Sequence, residues 1–191
     1  MRKSGDVMKV ISGIYKGRNL KGFNIDGTRP TMDRVKESLF ASISGYIDNA
    51  NILDLFCGSG ALGIEALSNG GKWCDFCDNN REVIKVVRDN INSLGIRNCE
   101  IYKMDYRDML KRIKLMGSKY DIIFLDPPYN KRVINDIIYT LIMDDMVNEE
   151  GLIVIEHSGN YEYIDYDGLV VIKDKKYGDK FITILQKVID N

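Results

Sequence analysis

The sequence predicts an α/β fold, a mostly parallel sheet with helices on both faces, and three features of the chain predict it. From Asn51 onward, short apolar runs alternate with helical patterns. Gly58, Gly60 and Gly63 make a GxGxxG turn between the first run and the first helical stretch. After Ile155 the alternation ends, and two β-rich segments flank the turn-like KKYGDK, which predicts a closing antiparallel hairpin.

At the amino terminus, MKVISGIYKGRNLKGF predicts a small β-hairpin, and Asp33 is placed to cap a helix running to about Tyr46. Strands are expected at 51–56 (NILDLF), 73–77 (WCDFC), 99–103 (CEIYK), 121–125 (DIIFL) and 151–155 (GLIVI). Helices are expected at 61–68, 80–94, 106–116 and 131–143. In the second of these, Val83, Val86, Val87, Ile91 and Leu94 form one core-facing stripe. Residues 168–173 and 180–188 supply the closing hairpin. The 191 residues are read as a single domain, with 1–48 as a hairpin-and-helix extension and 49–191 as the core that carries the site.

Hydrophobic residues at 45% and charged residues at 29% belong to a globular chain rather than a disordered one. No apolar run approaches the roughly 20 residues of a membrane span, and the basic start MRK is not followed by the apolar stretch of a secretory signal, so the protein is expected in the cytoplasm. The four cysteines make no disulfide framework. Cys74 and Cys77 have the CxxC spacing, but they lie in a strand that would point them to opposite faces, with no second pair and one histidine in the chain; no metal is expected. A net charge of −1 argues against a strong nonspecific polyanion binder. Its distribution is uneven: nine basic against four acidic side chains give residues 1–40 a charge of +5, leaving −6 for the rest. That asymmetry predicts an amino-terminal surface facing phosphate.

The acids beyond the glycine turn sharpen the reading. Asp78 follows the second strand about twenty residues on, where a carboxylate can accept from both hydroxyls of a ribose. Asp105 closes the third strand, where an acid could reach a purine amine; each of the two could equally cap the helix after it. Asp54 sits inside an apolar strand and needs a donor. The glycine-turn amides or the ammonium of a sulfonium cofactor would serve, which favours S-adenosylmethionine over a dinucleotide, whose pyrophosphate such a charge would repel.

Two of the chain's three prolines stand side by side after the fourth strand, in Asp126, Pro127, Pro128 and Tyr129; the third is Pro30. Each proline fixes φ near −65° and lacks an N–H, so the turn is stiff and its carbonyls are free to accept. The Asp126 carboxylate and the Pro127 carbonyl could hold both hydrogens of a planar amine while its lone pair faces a methyl donor, with Tyr129 stacked on the base. A strand ending in a rigid proline turn is the plainer alternative for that motif alone. His157 is assigned no catalysis.

The set DLFCGSGALGIEAL, FCDNN and DPPY resembles class I S-adenosylmethionine-dependent methyltransferases acting on exocyclic amines. VISGIYKGRNL and RPTMDRVKESLF, with GLIVIEHS and KKYGDKFITIL, narrow the resemblance to the bacterial small-subunit (16S) ribosomal RNA guanine-N2 methyltransferases of the D type, over most of the chain. The resemblance implies the Rossmann-like sheet of that class. It implies S-adenosylmethionine held by Asp54, Cys57, Gly58, Ser59, Gly60, Gly63, Asp78, Asn79, Asp105 and Tyr106, with the methionine end at Gly58 to Gly60, the ribose at Asp78 and the adenine at Asp105. Asp126, Pro127, Pro128 and Tyr129 would hold a flipped guanine, and Arg29, Thr31 and Arg34 would lie beside the pocket. Cys57 stands where such turns often have alanine, and Asp78 where glutamate is common. Arg18 and Lys21 of the basic hairpin would meet RNA phosphate. The expected partner is small-subunit ribosomal RNA inside an assembling subunit, with the protein acting as a monomer. Rival readings are an adenine-N6 DNA methyltransferase, for which no separate target-recognition region is evident, a protein-glutamine methyltransferase, and a noncatalytic RNA-binding module.

Overall fold

The computed structural model describes residues 7–22, 29–127, 131–158 and 166–188. The amino-terminal hairpin forms as expected: β1 (Val7–Lys9) pairs antiparallel with β2 (Asn19–Lys21), with a 3-10 turn at Gly13–Tyr15 between them. The next helix, α1 (Arg29–Ile47), begins ahead of Asp33, so Asp33 lies within it instead of capping it. Pro30 is the reason: in a first turn its missing N–H costs no intrahelical bond, and its fixed φ already suits the helix.

The main body alternates β3 (Asn51–Asp54), α2 (Ala61–Ser68), β4 (Trp73–Asp78), α3 (Arg81–Leu94), β5 (Cys99–Lys103), α4 (Tyr106–Met116), β6 (Tyr120–Leu125), α5 (Lys131–Met143) and β7 (Val147–Ser158), then closes with β8 (Leu169–Tyr177) and β9 (Lys180–Lys187). The sheet order is β5-β4-β3-β6-β7-β9-β8. Strands β5 to β7 of that order run parallel, while β9 is antiparallel to both β7 and β8. Of the predicted spans, β5 is met to the residue, β4, β6 and β9 differ by one residue, β3 is shorter, and β7 and β8 are longer. β3 ends at Asp54; the Leu55 amide still bonds the Phe124 carbonyl, after which the chain turns into the glycine loop. β7 starts at Val147, ahead of the predicted run, through a polar stretch with a register shift and Glu150 at φ 60°, which breaks the apolar pattern a sequence reader follows.

Alternation along the strands divides the interior in two. Ile52, Phe76, Ile122, Phe124 and Val154 pack with α1, α2 and α3, while Leu53, Cys77, Ile123, Leu125 and Ile153 pack with α4 and α5. Cys74 belongs to the first set and Cys77 to the second, on opposite faces as the strand spacing requires. On α3 the buried stripe is Ile84, Val87, Asn90, Ile91 and Leu94; Val83 and Val86 of the predicted stripe are only half-buried. Among the described residues no helix is long and apolar enough to cross a membrane.

Buried polar side chains fasten the hairpin to this body. Glu65 on α2, 0% exposed, accepts from the Ile11 and Ser12 amides at 2.8–3.0 Å and from the Ser12 hydroxyl at 2.9 Å. Lys36 on α1 completes it with an ion pair at 3.0 Å and donates to the Lys9 carbonyl at 2.6 Å. A carboxylate buried this deeply is tolerated because every oxygen has a donor and a cation stands beside it. Asn90 on α3 accepts from the Lys21 amide at 2.8 Å and donates to the carbonyls of Lys21 at 3.0 Å and Ser59 at 2.9 Å, linking β2 to the glycine loop.

Candidate active site

Strand order fixes where a ligand can enter. The chain steps outward from β3 to β4 and β5, then crosses back to β6 on the other side of β3, so the carboxyl ends of β3 and β6 diverge into a crevice. The glycine loop after β3 and Asp126, just past β6, both lie at that edge.

The loop is shaped by its glycines. Gly60, at φ 78°, starts α2 in a left-handed conformation that suits no branched residue, and its amide bonds the Cys57 carbonyl at 2.6 Å. Gly63 sits against β4: a Cβ there would come within 2.3 Å of Phe76 Cε1 and 2.7 Å of Cys74 Sγ. α2 therefore lies close on the strand, and its first turn points at the crevice. The Gly63 amide donates to Asp54 Oδ2 at 3.1 Å, which supplies the donor demanded of that acid. Asp54 is 3% exposed; desolvation pushes its pKa up to about 7, the Gly63 amide works against this, and the charges of Asp126 and Asp78 add to it. Asp78 accepts from the Asn80 amide at 2.9 Å and from the Gly58 amide at 3.4 Å, bracing the loop from the end of β4.

A cleft of about 230 Å³ lies here, lined by Leu55, Phe56, Gly58, Asp78, Asn79, Met104, Tyr106 and Asp126. Five of the residues expected at the site, Gly58, Asp78, Asn79, Tyr106 and Asp126, thus meet at one rim. Cys57, Gly60, Gly63 and Pro127 are buried and Ser59 is half-buried; none of the five lines the cleft. Asp105 does not line it: its carboxylate caps α4 through the Arg107 amide at 2.9 Å and stands 3.5 Å from the Arg107 guanidinium. Pro128 and Tyr129 lie outside the described residues, as do the side chains of Arg29 and Thr31 in the first turn of α1; Arg34 is exposed on that helix. Arg18 donates to the Ser93 carbonyl at 2.9 Å and Lys21 pairs with Asp89 at 2.7 Å, so both lie along the flank of α3. Ser93 is twelve residues beyond the start of α3, roughly 18 Å from the rim along the helix axis.

Sequence reasoning missed Leu55, Phe56 and Met104. Phe56 tilts against Tyr106 with ring centroids 5.5 Å apart, and the Arg107 guanidinium lies 4.6 Å from the Tyr106 ring centre, so one wall is aromatic. A predicted strand running to Phe56 hid that residue's turn into the cleft. A larger groove of about 410 Å³ between α4 and α5 shares Tyr106, but its Lys111 and Lys114 are paired with Asp108 and Asp144.

Asp126 keeps solvent contact at the mouth, yet the walls desolvate it enough to push its pKa up to about 6, with the Glu156 carboxylate adding to the rise and Lys180 opposing it. Strand parity explains the gathering of acids. Asp54, Asp78, Asp126 and Glu156 share the face of Ile52, Phe76, Phe124 and Val154, at the ends of four neighbouring strands. Among the described residues no three acidic, cysteine or histidine side chains come close enough to hold a metal ion.

The chain matches, over residues 8–186, the family described as conserved hypothetical protein 95. It belongs to that family. YlbH of Bacillus subtilis (strain 168) is 38% identical over 182 residues, covering 94% of this chain and 99% of its own. Ribosomal RNA small subunit methyltransferase D of Haemophilus influenzae is 32% identical over 173 residues, covering 90% and 89%. The solved yhhF structure from Escherichia coli superposes with a TM-score of 0.84 at 26% identity, over 97% of this chain and 100% of that one. This member of the family therefore carries its acids and glycine loop on the same sheet architecture as a solved relative.

Proposed function

We infer that this chain transfers a methyl group from S-adenosylmethionine to the exocyclic N2 amine of a guanine in small-subunit (16S) ribosomal RNA, in the cytoplasm where subunits are assembled. The observation that carries the reading is the shared cleft: Asp126 from the proline turn and Gly58 with Asp78 from the glycine-loop side line one cavity. The similarity to a protein named ribosomal RNA small subunit methyltransferase D supports the class of substrate.

The residues present fit the cofactor. Carboxylates of Asp78 and Asp126 at the rim, with the buried Asp54 close enough to feel both, favour a ligand with positive charge, such as a sulfonium and an ammonium. Gly58 brings bare backbone to the cleft, Asp78 offers acceptors to ribose hydroxyls, and Phe56 with Tyr106 offers an aromatic wall. When bound, this cofactor supplies an electrophilic methyl carbon.

The remaining chemistry belongs to the chain. Asp126 accepts a hydrogen bond from the target amine, and with the Pro127 carbonyl it orients the nitrogen lone pair toward the methyl group. As the N–C bond forms at the expense of the sulfonium S–C bond, whose electron pair would stay on sulfur in the neutral thioether that leaves, positive charge grows on nitrogen, and the carboxylate stabilises it. Asp126 then takes the proton that the methylated amine must lose; a pKa near 6 leaves it ionised at neutral pH and still basic enough to accept. A target inside folded RNA must be swung out of its stack to reach this cleft.

The test is incubation of the protein with labelled cofactor and, separately, naked 16S RNA, immature small subunits and duplex DNA, with mass-spectrometric mapping of the modified base. N2-methylguanine in either RNA sample is the expected product. N6-methyladenine in the duplex, or no label in any sample, would overturn the reading.

A further inference from the structure

We propose that Lys180, carried at the tip of the β8–β9 hairpin and paired with Glu156, is a positioning residue of the catalytic centre: it supplies the positive charge that holds Asp126 as an ionised acceptor. The proposal rests on the reading of Asp126 given above.

Register brings these groups together. Leu125 is opposite Ile155 in the parallel β6–β7 pair, so Asp126, just past β6, and Glu156, two residues before the end of β7, follow at the next register position. In the antiparallel β7–β9 pair Glu156 is opposite Ile182 and Ser158 is opposite Lys180, which makes Glu156 and Lys180 diagonal neighbours on one face. Their side chains form an ion pair, with Glu156 only 15% exposed. The tip that presents Lys180 is a tight turn with side-chain contacts on its far face. Gly178, at φ 61°, turns the chain between Tyr177 and Lys180, and on the opposite face His157 stacks on Phe181 at 5.4 Å while its Nε2 lies 2.9 Å from the buried Thr183 hydroxyl.

Among the described residues, the other charges that act with Asp126 are negative. Asp54 comes from β3, Asp78 from β4 and Glu156 from β7, and Tyr106 of α4 lines the same cleft. On β8, Asp174 accepts from Thr183 and Lys176 lies over the Phe181 ring. Among the described side chains, Lys180 is the cation that Asp126 feels: it draws the Asp126 pKa down while Glu156 pushes it up. Its own pKa stands above the ordinary lysine value; desolvation pulls it down, and Glu156 and Asp126 more than reverse that. A hairpin that closes the sheet thus carries the countercharge for a turn three strands away in sequence.

Two readouts test this. Asp126 is followed by carbon NMR in aspartate-labelled protein without substrate, and methyl transfer to small subunits is measured against pH. In Lys180→Met the Asp126 midpoint and the acidic limb of the rate should both move up by about one pH unit. Lys180→Arg should restore both, Glu156→Gln should move both down, and affinity for S-adenosylhomocysteine should stay within about twofold. An unmoved midpoint in a folded Lys180→Met protein would overturn the proposal, and so would a moved midpoint with an unmoved rate limb. Failure of the parent protein to methylate any ribosomal RNA would instead remove the functional reading, with the NMR midpoint still deciding what Lys180 does to Asp126.

Discussion

At the scale of single residues, the acids of the rim differ in how they are held. Asp126→Ala should lower methyl transfer by roughly 10²–10³-fold, the usual cost of removing a group that stabilises developing charge, with little change in cofactor affinity measured by calorimetry. In the parent protein the rate should rise through about pH 6, because Asp126 accepts only when ionised and its pKa lies there. Asp54 behaves differently. Its folded-state pKa is raised to about 7, so the unfolded chain releases that proton first, and its contribution to stability falls as pH rises from about 4 to 7. Asp54→Asn keeps an acceptor for Gly63 without the charge; its melting temperature should exceed the parent's by roughly 5 °C at pH 8 and match it at pH 4, while cofactor binding weakens. Much of this was legible beforehand. A charge inside an apolar strand had to have a donor, and it has one. Asp105 was ambiguous between a helix cap and a ligand contact; the cap is present, its carboxylate accepting from the Arg107 amide ahead of α4. Glu156 went unread because its neighbours across the sheet are set by register, which a linear pattern does not display.

At the scale of elements, the hairpin's attachment is the strongest prediction. Lys36→Met leaves Glu65 charged and buried with only neutral donors, so unfolding by denaturant should show a loss of about 3–5 kcal/mol, and the double variant with Glu65→Gln should recover part of it. Gly63→Ala should cost about 1–3 kcal/mol, since Phe76 is fully buried and cannot retreat from the added methyl group. The helices α2, α4 and α5 and the strand β5 were readable to the residue from their apolar patterns, with glycines bounding α2 and ending α4. The start of α1 was not, since a proline inside a first turn looks like a stop signal. Asn90 was equally hidden: a polar residue in an apolar stripe is visible only as an interruption until β2 and Ser59 are seen to converge on it.

At the scale of the whole molecule, charge is divided between a basic amino-terminal segment and an acidic remainder. Reversing Arg18 and Lys21 to glutamate should weaken binding to ribosomal RNA and flatten its dependence on salt by about one unit for each phosphate no longer neutralised. Both side chains make exposed contacts to α3, so stability should change by less than about 1 kcal/mol, separating the RNA effect from unfolding. The buried thiols offer a last consequence. Burial holds Cys57 and Cys74 well above the ordinary thiol range and Cys77 up to about 12, so none should react with an alkylating reagent at neutral pH while the fold is closed. Cys57 lies in the glycine loop and Cys74 in the sheet behind it. Comparing their modification rates would therefore clock the breathing of the glycine loop against that of the core, with no label added to the protein, and a ligand seated on the loop should slow the first clock alone.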